Sequence, residues 1–341
     1  MKRGPQGTKA GNAAAERLTL DDFHSADLPM LRCLERARVA ARTEIPILIL
    51  GETGTGKTLL ARAIHNLSKR AGGPFVSFNA AALSETLLDS QLFGHEAGAF
   101  TGAQRAIRGK FELADGGTLF IDEIADMAPA AQAKILRAVE YGEFERLGSE
   151  RLECAEVRLI SATRLPLQKL VAADHFRKDL FYRLSGISLA IPPLRDRPND
   201  LRALITAEIV AASRQQDKRI LGLEREAAEL LFAYPWPGNL RELKSVIHTA
   251  VAVTVGEVIL PDAILLEKLK APAVVPTDRS RDNLEPGSDL TLSAVEQRHI
   301  HRVLEATGGN KRKAARVLGV SRSTLDRKLT PQSPCLSSTL S

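Results

Sequence analysis

The segment Gly51-Glu52-Thr53-Gly54-Thr55-Gly56-Lys57-Thr58 has the residue types and order of a triphosphate site. Its three glycines let the backbone curl with N–H groups pointing inward, and such a nest at a helix N-terminus attracts anions. Lys57 is placed to reach the β and γ phosphates, and Thr58 to offer its hydroxyl to Mg²⁺. Further along, Gly117-Thr118-Leu119-Phe120-Ile121-Asp122-Glu123 is an apolar run ending in two carboxylates. Asp122 is placed to hold Mg²⁺, directly or through water, and Glu123 to polarise an attacking water. Together the two segments predict nucleoside triphosphate binding and hydrolysis.

Such a loop needs a strand before it and a helix after it. Ile45 to Leu50 is a short apolar run, partly β-branched, as a buried parallel strand should be. Leu59 to Leu67 carries helix formers with apolar positions on one face. Phe75–Phe78, Thr118–Ile121 and Val157–Ile160 are three further strand candidates. Strands alternating with helical stretches predict an α/β fold, a parallel sheet with helices on both faces, over residues 21–193. From 194 to 270 helical spacing dominates, which predicts a small helical subdomain. Residues 271–290 have the Pro, Ser and Asp content of a linker. Residues 1–20 are expected to be disordered, and 331–341 to form a loose tail.

The chain has 341 residues and 44% hydrophobic content, enough for two or three domains with real cores. Cys33, Cys154 and Cys335 show no CxxC spacing, so neither a zinc site nor a disulfide framework is expected, and a reducing, cytoplasmic compartment is. No apolar stretch approaches the roughly 18 residues of a membrane span, and no apolar run follows the basic N-terminus to make a signal peptide. The net charge of +6 is unevenly placed. Between Thr291 and Thr330 lie nine basic and three acidic residues, so this segment holds the whole excess and the rest balances. A basic module on a neutral body points to nucleic acid at that end.

That module reads as three helices. Ser293 to Ala306 is amphipathic through Val295, Ile300, Val303 and Leu304, and Gly308-Gly309-Asn310 breaks it. Lys311 to Leu318 turns Ala314, Ala315 and Leu318 inward. Gly319-Val320 makes a tight turn, Ser321 is a good N-cap, and Arg322 to Leu329 is the last helix. Two helices joined by a short Gly-containing turn describe a helix-turn-helix for double-stranded DNA. Arg322, Ser323, Thr324 and Arg327 are candidate base or phosphate contacts, and Lys311, Arg312 and Lys328 candidate phosphate contacts.

A further segment narrows the class. Phe93-Gly94-His95-Glu96-Ala97 runs into Gly98-Ala99-Phe100-Thr101-Gly102-Ala103. Its small residues suit a mobile hairpin, and Phe100 supplies an apolar anchor for a partner. In this string and in motif order, the chain resembles the AAA+ activators of sigma-54 RNA polymerase, and residues 291–330 resemble their Fis-type DNA-binding domain. The resemblance covers about residues 21–330. It implies an AAA+ P-loop core with a helical lid and an all-α helix-turn-helix domain, and it makes Gly98 to Ala103 the contact to the sigma factor. It also implies that Asn79 switches Glu123 between states, that Thr163 is a sensor of nucleotide, and that Arg177 and Arg183 are arginine fingers acting on a neighbour. Arg241 in Trp236-Pro237-Gly238-Asn239-Leu240-Arg241-Glu242 becomes a second sensor.

The implied activity is ATP hydrolysis with Mg²⁺, in a homo-oligomeric ring of hexamer type, driving a sigma-54 closed complex open from an upstream DNA site. Thr58 stands where the family usually has Glu, and Arg164 where it often has Asn; the second departure touches nucleotide sensing. Two rivals are weighed: a DNA-binding repressor or scaffold with a vestigial ATPase, against which the complete phosphate-loop and finger residues argue, and a AAA+ remodeller of other substrates; the Gly98–Ala103 segment discriminates against both. Family members often carry a receiver or ligand-sensing domain, and about twenty residues ahead of the ATPase segment are too few for one. A constitutive activator, one held by a separate partner, and a truncated chain are the alternatives.

Overall fold

Alternation inside short apolar runs sets the architecture. In strand β1 (Ile47–Leu50), Ile47 and Ile49 face one side and Leu48 the other, and all three are buried. The same split recurs in β5 (Thr118–Asp122), where Leu119 and Ile121 oppose Phe120, and in β8 (Arg158–Thr163), where Leu159 opposes Ile160 and Ala162. A sheet that is apolar on both faces must be covered twice. Helices α1 (Leu28–Ala41) and α2 (Lys57–Asn66) cover one face through Met30, Leu34, Leu60 and Ile64. Helices α3 (Glu85–Phe93), α5 (Pro129–Tyr141) and α7 (Lys178–Leu184) cover the other through Leu88, Leu92, Ile135, Leu180 and Leu184. Each such side chain, fully buried, contributes about 1.5–3 kcal/mol.

The computed structural model of the protein describes residues 18–81, 85–266, 299–301, 303–305 and 307–329. The central sheet is parallel throughout, in the order β2 (Phe75–Asn79), β5, β8, β1, β9 (Ile187–Ala190). This order brings the C-terminal ends of β1, β5 and β8 together, where α/β sheets bind ligands. Two short antiparallel pairs branch from the core: β3 (Gly94–His95) with β4 (Ile107–Arg108), and β6 (Glu143–Glu145) with β7 (Leu152–Cys154). Helix α4 (Lys110–Leu113) leads from β4 toward β5. Helices α8 (Pro198–Gln215), α9 (Arg225–Ala233) and α10 (Asn239–Val253) form a second apolar core around Trp236, whose indole N–H donates to Leu231 O at 3.0 Å. No helix among the described residues is long and apolar enough to cross a membrane.

Three expectations need amending. Leu18 to Leu20 is ordered: Leu20 is buried against the α1–α2 face, and Thr19 and Asp22 cap a short 3₁₀ turn reciprocally. Residues 1–17 lie outside the described set, as do 271–290 and 331–341. The strand β9 was not among the sequence candidates. Its four residues include a polar Ser188, and as the edge strand it has β1 as its only neighbour in the sheet. The helical region also contains a two-residue parallel pair, Gly222–Leu223 with Val258–Ile259.

A separate unit follows Leu266. Residues 299–301 and 303–305 are helical, and α11 (Lys311–Val317) and α12 (Arg322–Leu329) complete it. Ile300, Ala314, Ala315 and Leu325 are buried together, with Val303, Leu304 and Leu318 half-buried around them. Ser293 to 298, with Val295, lies outside the described residues.

Candidate functional site

The phosphate loop leaves β1 and curls through Gly54 (φ +82°) and Gly56 (φ +98°), backbone angles that side chains rarely adopt. Gly56 is the N-cap of α2, so the loop ends on that helix's free N–H groups. Thr55 donates its hydroxyl to Glu52 O at 2.8 Å, closing the turn. Lys57 is buried, with Nζ 3.0 Å from Gly51 O and 3.4 Å from Glu123 Oε1.

The two carboxylates arrive on β5. Burial pushes the Asp122 carboxyl above the usual carboxylate range, against the pull of Lys57. A buried carboxylate in that state gains from a cation placed beside it. Glu123 sits in the left-handed region (φ +52°), a strained angle that turns the chain sharply after the strand. Its N–H donates to Asp122 Oδ1 at 3.0 Å, and its Oε2 accepts from the Arg164 N–H at 3.3 Å. The contact at position 164 is therefore made by backbone, which any residue supplies. Asn79 stands opposite Asp122 in the sheet register, and its Oδ1 accepts from the Ala81 N–H at 2.8 Å.

A cavity of about 690 Å³ gathers these groups. Thr53 to Leu59, Asn79, Asp122, Glu123 and Arg241 line it, and Leu18, Phe23, Met30, Leu204, Leu240 and Leu243 give it an apolar end. Buried Lys57 beside Asp122 and Glu123, on a cavity that also has apolar wall residues, is a lining chemically suited to a nucleotide, with Asp22, His24, Arg197, Glu208 and Lys244 completing the wall. Thr163 is buried and off the cavity wall, with its hydroxyl accepting from the Leu165 N–H at 3.0 Å. Gly51 and Glu52 also lie behind the wall.

The contact between loop and lid turn was not singled out from sequence. The N–H of Leu240 donates to Gly54 O at 3.0 Å, and a Cβ at Gly54 would lie 2.1 Å from Gly238 O. Asn239 is fully buried in the left-handed region (φ +52°). Its Oδ1 accepts from the Leu194 N–H at 2.7 Å, and its Nδ2 donates to Thr53 O at 3.1 Å and Glu52 Oε2 at 3.2 Å. Arg195 closes the same seam with a forked pair onto Glu52 at 2.6 and 2.9 Å, holding that carboxyl below its usual range. A glycine three residues into the phosphate loop and a Gly-Asn pair in the lid were the available signals.

Arg177 and Arg183 are both exposed and absent from this cavity's wall. Arg177 forks onto Asp179, with Nη2 2.7 Å from Oδ2, and Arg183 donates to Val139 O at 3.3 Å.

Gly98 to Ala103 tips the β3–β4 hairpin. Gly98 and Gly102 both have positive φ (+85° and +105°), and Gly98 N–H donates to Ala103 O at 2.8 Å. Phe100 differs from a freely projecting anchor. It is half-buried, its ring edge-on to buried His95 at 5.0 Å, and His95 Nδ1 lies 2.8 Å from Ser90 Oγ. Thr101 is exposed. Arg146 ties the hairpin base down, reaching Glu96 at 2.9 Å and forking onto Glu112 at 2.9 and 3.0 Å.

In the C-terminal unit, Ser321 caps α12 by accepting from the Thr324 N–H at 3.1 Å, and its hydroxyl lies 2.7 Å from that of Thr324. Thr324 is thus engaged in the cap, while Arg322, Ser323 and Arg327 are exposed. Lys311 pairs with Asp326 at 2.9 Å; Arg312 is exposed and Lys328 half-buried.

Comparison with known proteins agrees with this geometry. Residues 24–190 match the family described as the sigma-54 interaction domain, 195–278 the AAA+ ATPase lid domain, and 291–330 the Fis family of bacterial regulatory proteins. The transcriptional regulatory protein ZraR of Klebsiella oxytoca is 43% identical over 305 residues, covering 89% of this chain and 68% of ZraR. The regulatory protein AtoC of Escherichia coli K12 is 44% identical over 301 residues, 87% of this chain and 64% of AtoC. The chain thus spans about two thirds of such relatives. NtrX from Brucella abortus, solved with ADP, superposes with a TM-score of 0.67 at 31% identity, over 94% of this chain and 71% of NtrX. A second NtrX structure holds ATP.

Asn239 gives a test of the seam. Asn239→Ala removes four side-chain hydrogen bonds, the fourth a 3.5 Å contact to Pro237 O, and leaves an alanine in a left-handed conformation, which should cost about 2–4 kcal/mol. Asn239→Gly loses the same bonds without the backbone strain and should cost less. Urea unfolding of both variants measures the difference; equal losses would mean the left-handed backbone is not what fixes this residue.

Proposed function

The chain belongs to the sigma-54-dependent AAA+ transcriptional activators ending in a Fis-type helix-turn-helix, and from that premise we propose that it hydrolyses ATP to drive sigma-54 polymerase from a closed to an open promoter complex. The observation that carries this reading is the meeting of Lys57, Thr58, Asp122, Glu123 and Arg241 on one cavity.

In this reading Lys57 exchanges its backbone carbonyl and Glu123 for the β and γ phosphates, supported by the loop's N–H groups. Mg²⁺ arriving with the nucleotide would be held by Thr58 and Asp122, and it neutralises charge on the phosphates. The donor set fits, since Asp122 is the carboxylate that burial leaves short of positive charge. Glu123, freed from Lys57, orients and deprotonates the attacking water. Asn79 and Thr163 report the state of the γ-phosphate through the strand ends they occupy. Arg241 reports it to the lid, because its helix starts at the Asn239 turn that grips the loop.

Arg177 and Arg183 act in trans, completing a neighbour's site in a homo-oligomeric ring, a hexamer in this reading. Support comes from their exposure and their absence from the cavity wall of their own chain. Arginine fingers contribute on the order of 10³–10⁵ in rate where they act. The hairpin carrying Gly98, Ala99, Phe100, Thr101, Gly102 and Ala103 is the sigma-54 contact, and α12 enters the major groove of an upstream DNA site.

Two experiments separate the parts. Lys57→Ala should lower ATP affinity at least about tenfold, since a buried ammonium facing phosphate is lost. Glu123→Gln should bind ATP near the parental level and lose about 10²–10⁴ in turnover. Calorimetric binding and steady-state phosphate release decide it, and parental turnover in Glu123→Gln would remove Glu123 from the water-activating role. For the hairpin, Phe100→Ala and Thr101→Ala should keep ATP hydrolysis and DNA binding while blocking transcription from a sigma-54 promoter in vitro. Full activation by both variants would overturn the sigma-54 contact.

A further inference from the structure

Between Thr307 and Leu329 the chain carries seven basic residues and a single carboxylate, Asp326. It does not sit at the periphery. It lies on α12, the helix read above as entering the groove, one turn after Arg322. A carboxylate there repels the phosphate backbone, so its presence needs a reason beyond affinity. Its two oxygens face different cations. Oδ1 accepts from Lys311 Nζ at 2.9 Å, and Oδ2 lies 3.9 Å from Arg322 Nε. Lys311, and then the Arg322 charge, hold its carboxyl below the usual range.

We propose that Asp326 is a specificity-determining residue of the DNA interface, positioning Arg322 for a base edge rather than for phosphate. The inference rests on the DNA-binding reading above. Residues four apart on a helix are neighbours, and an Asp carboxylate 3.9 Å from the Nε edge of Arg322 can bias the guanidinium while leaving its Nη pair available to fork onto a base. That fork matches O6 and N7 of guanine in the major groove, the pairing in which arginine reads sequence. The same carboxylate engages Lys311, drawing one strong phosphate ligand toward the protein. Both effects trade unselective attraction for discrimination. The base assigned to Arg322 is therefore guanine, and the residue setting its orientation is Asp326.

The test uses the full chain and duplexes selected by it from a random pool, with a scrambled duplex of equal composition as reference. Anisotropy titrations over a range of KCl give both affinities. For Asp326→Asn, the scrambled duplex should bind more tightly with a salt slope steeper by up to about one unit, and the ratio of selected to scrambled affinity should fall about five- to tenfold. Asp326→Glu should recover part of the ratio. In an Arg322→Ala background, Asp326→Asn should leave the ratio unchanged, because the side chain it positions is gone, and substituting the guanine opposite Arg322 should cost the parent more than Asp326→Asn. An unchanged ratio in Asp326→Asn would overturn the proposal while leaving DNA binding in place. A parent that selects no duplex at all would overturn the DNA reading itself. Loss of both affinities together, with a lowered melting temperature of the unit, would make Asp326 a structural tie between α11 and α12 and likewise overturn it.

Discussion

At Gly54 the phosphate loop and the lid turn meet backbone to backbone, and the form of the nucleotide cavity depends on that contact. No side chain fits there, because a Cβ would fall 2.1 Å from Gly238 O. The approach lets Leu240 donate to Gly54 O and lets Asn239 bridge the loop to the start of the lid. A loop held this way has its N–H groups fixed before any anion arrives, which is the preorganisation that phosphate binding rewards. It also ties the start of the lid to the loop, because Asn239 donates to Thr53 O and α10 begins at that residue.

The same logic of strain and close approach marks the other working parts. Glu123 and Asn239 both occupy left-handed backbone, and each stands where a chain must turn sharply to aim a polar group. Glu123 is held at rest by Lys57 and by the Arg164 N–H, so the group read as activating water is tied to the group read as binding phosphate. The hairpin is built differently. Its tip has glycines with open space around them and is tied back by the edge-on contact of Phe100 with His95, while its base is fastened by Arg146 between Glu96 and Glu112.

Much of this was legible in the residues. The phosphate loop and the Asp122-Glu123 strand end announce themselves because each needs several uncommon residues in fixed order beside an apolar run. The parallel sheet followed from alternating strands and helices, and the helix-turn-helix unit from charge and turn residues, its Fis type being what the resemblance implied. What escaped had weak local signals. The edge strand β9 is only four residues long with a polar Ser188 inside it, and pairing with β1 makes it a strand. Leu20 is ordered by a core assembled from α1 and α2, which a Gly-rich N-terminus does not reveal. The edge-on contact of Phe100 with His95 and the Asn239 seam both join residues through the fold, and periodicity reports only what lies within one element.

The central claim is that ATP hydrolysed in this cavity does mechanical work on sigma-54 polymerase. The most direct measurement is permanganate footprinting of a sigma-54 promoter with holoenzyme and this protein, comparing ATP with a non-hydrolysable analogue and with a sigma-70 promoter. The account predicts melted thymines near the start site only on the sigma-54 promoter and only with hydrolysable ATP. Melting supported equally by the analogue, or ATP consumed at full rate with no melting on the sigma-54 promoter, would contradict it.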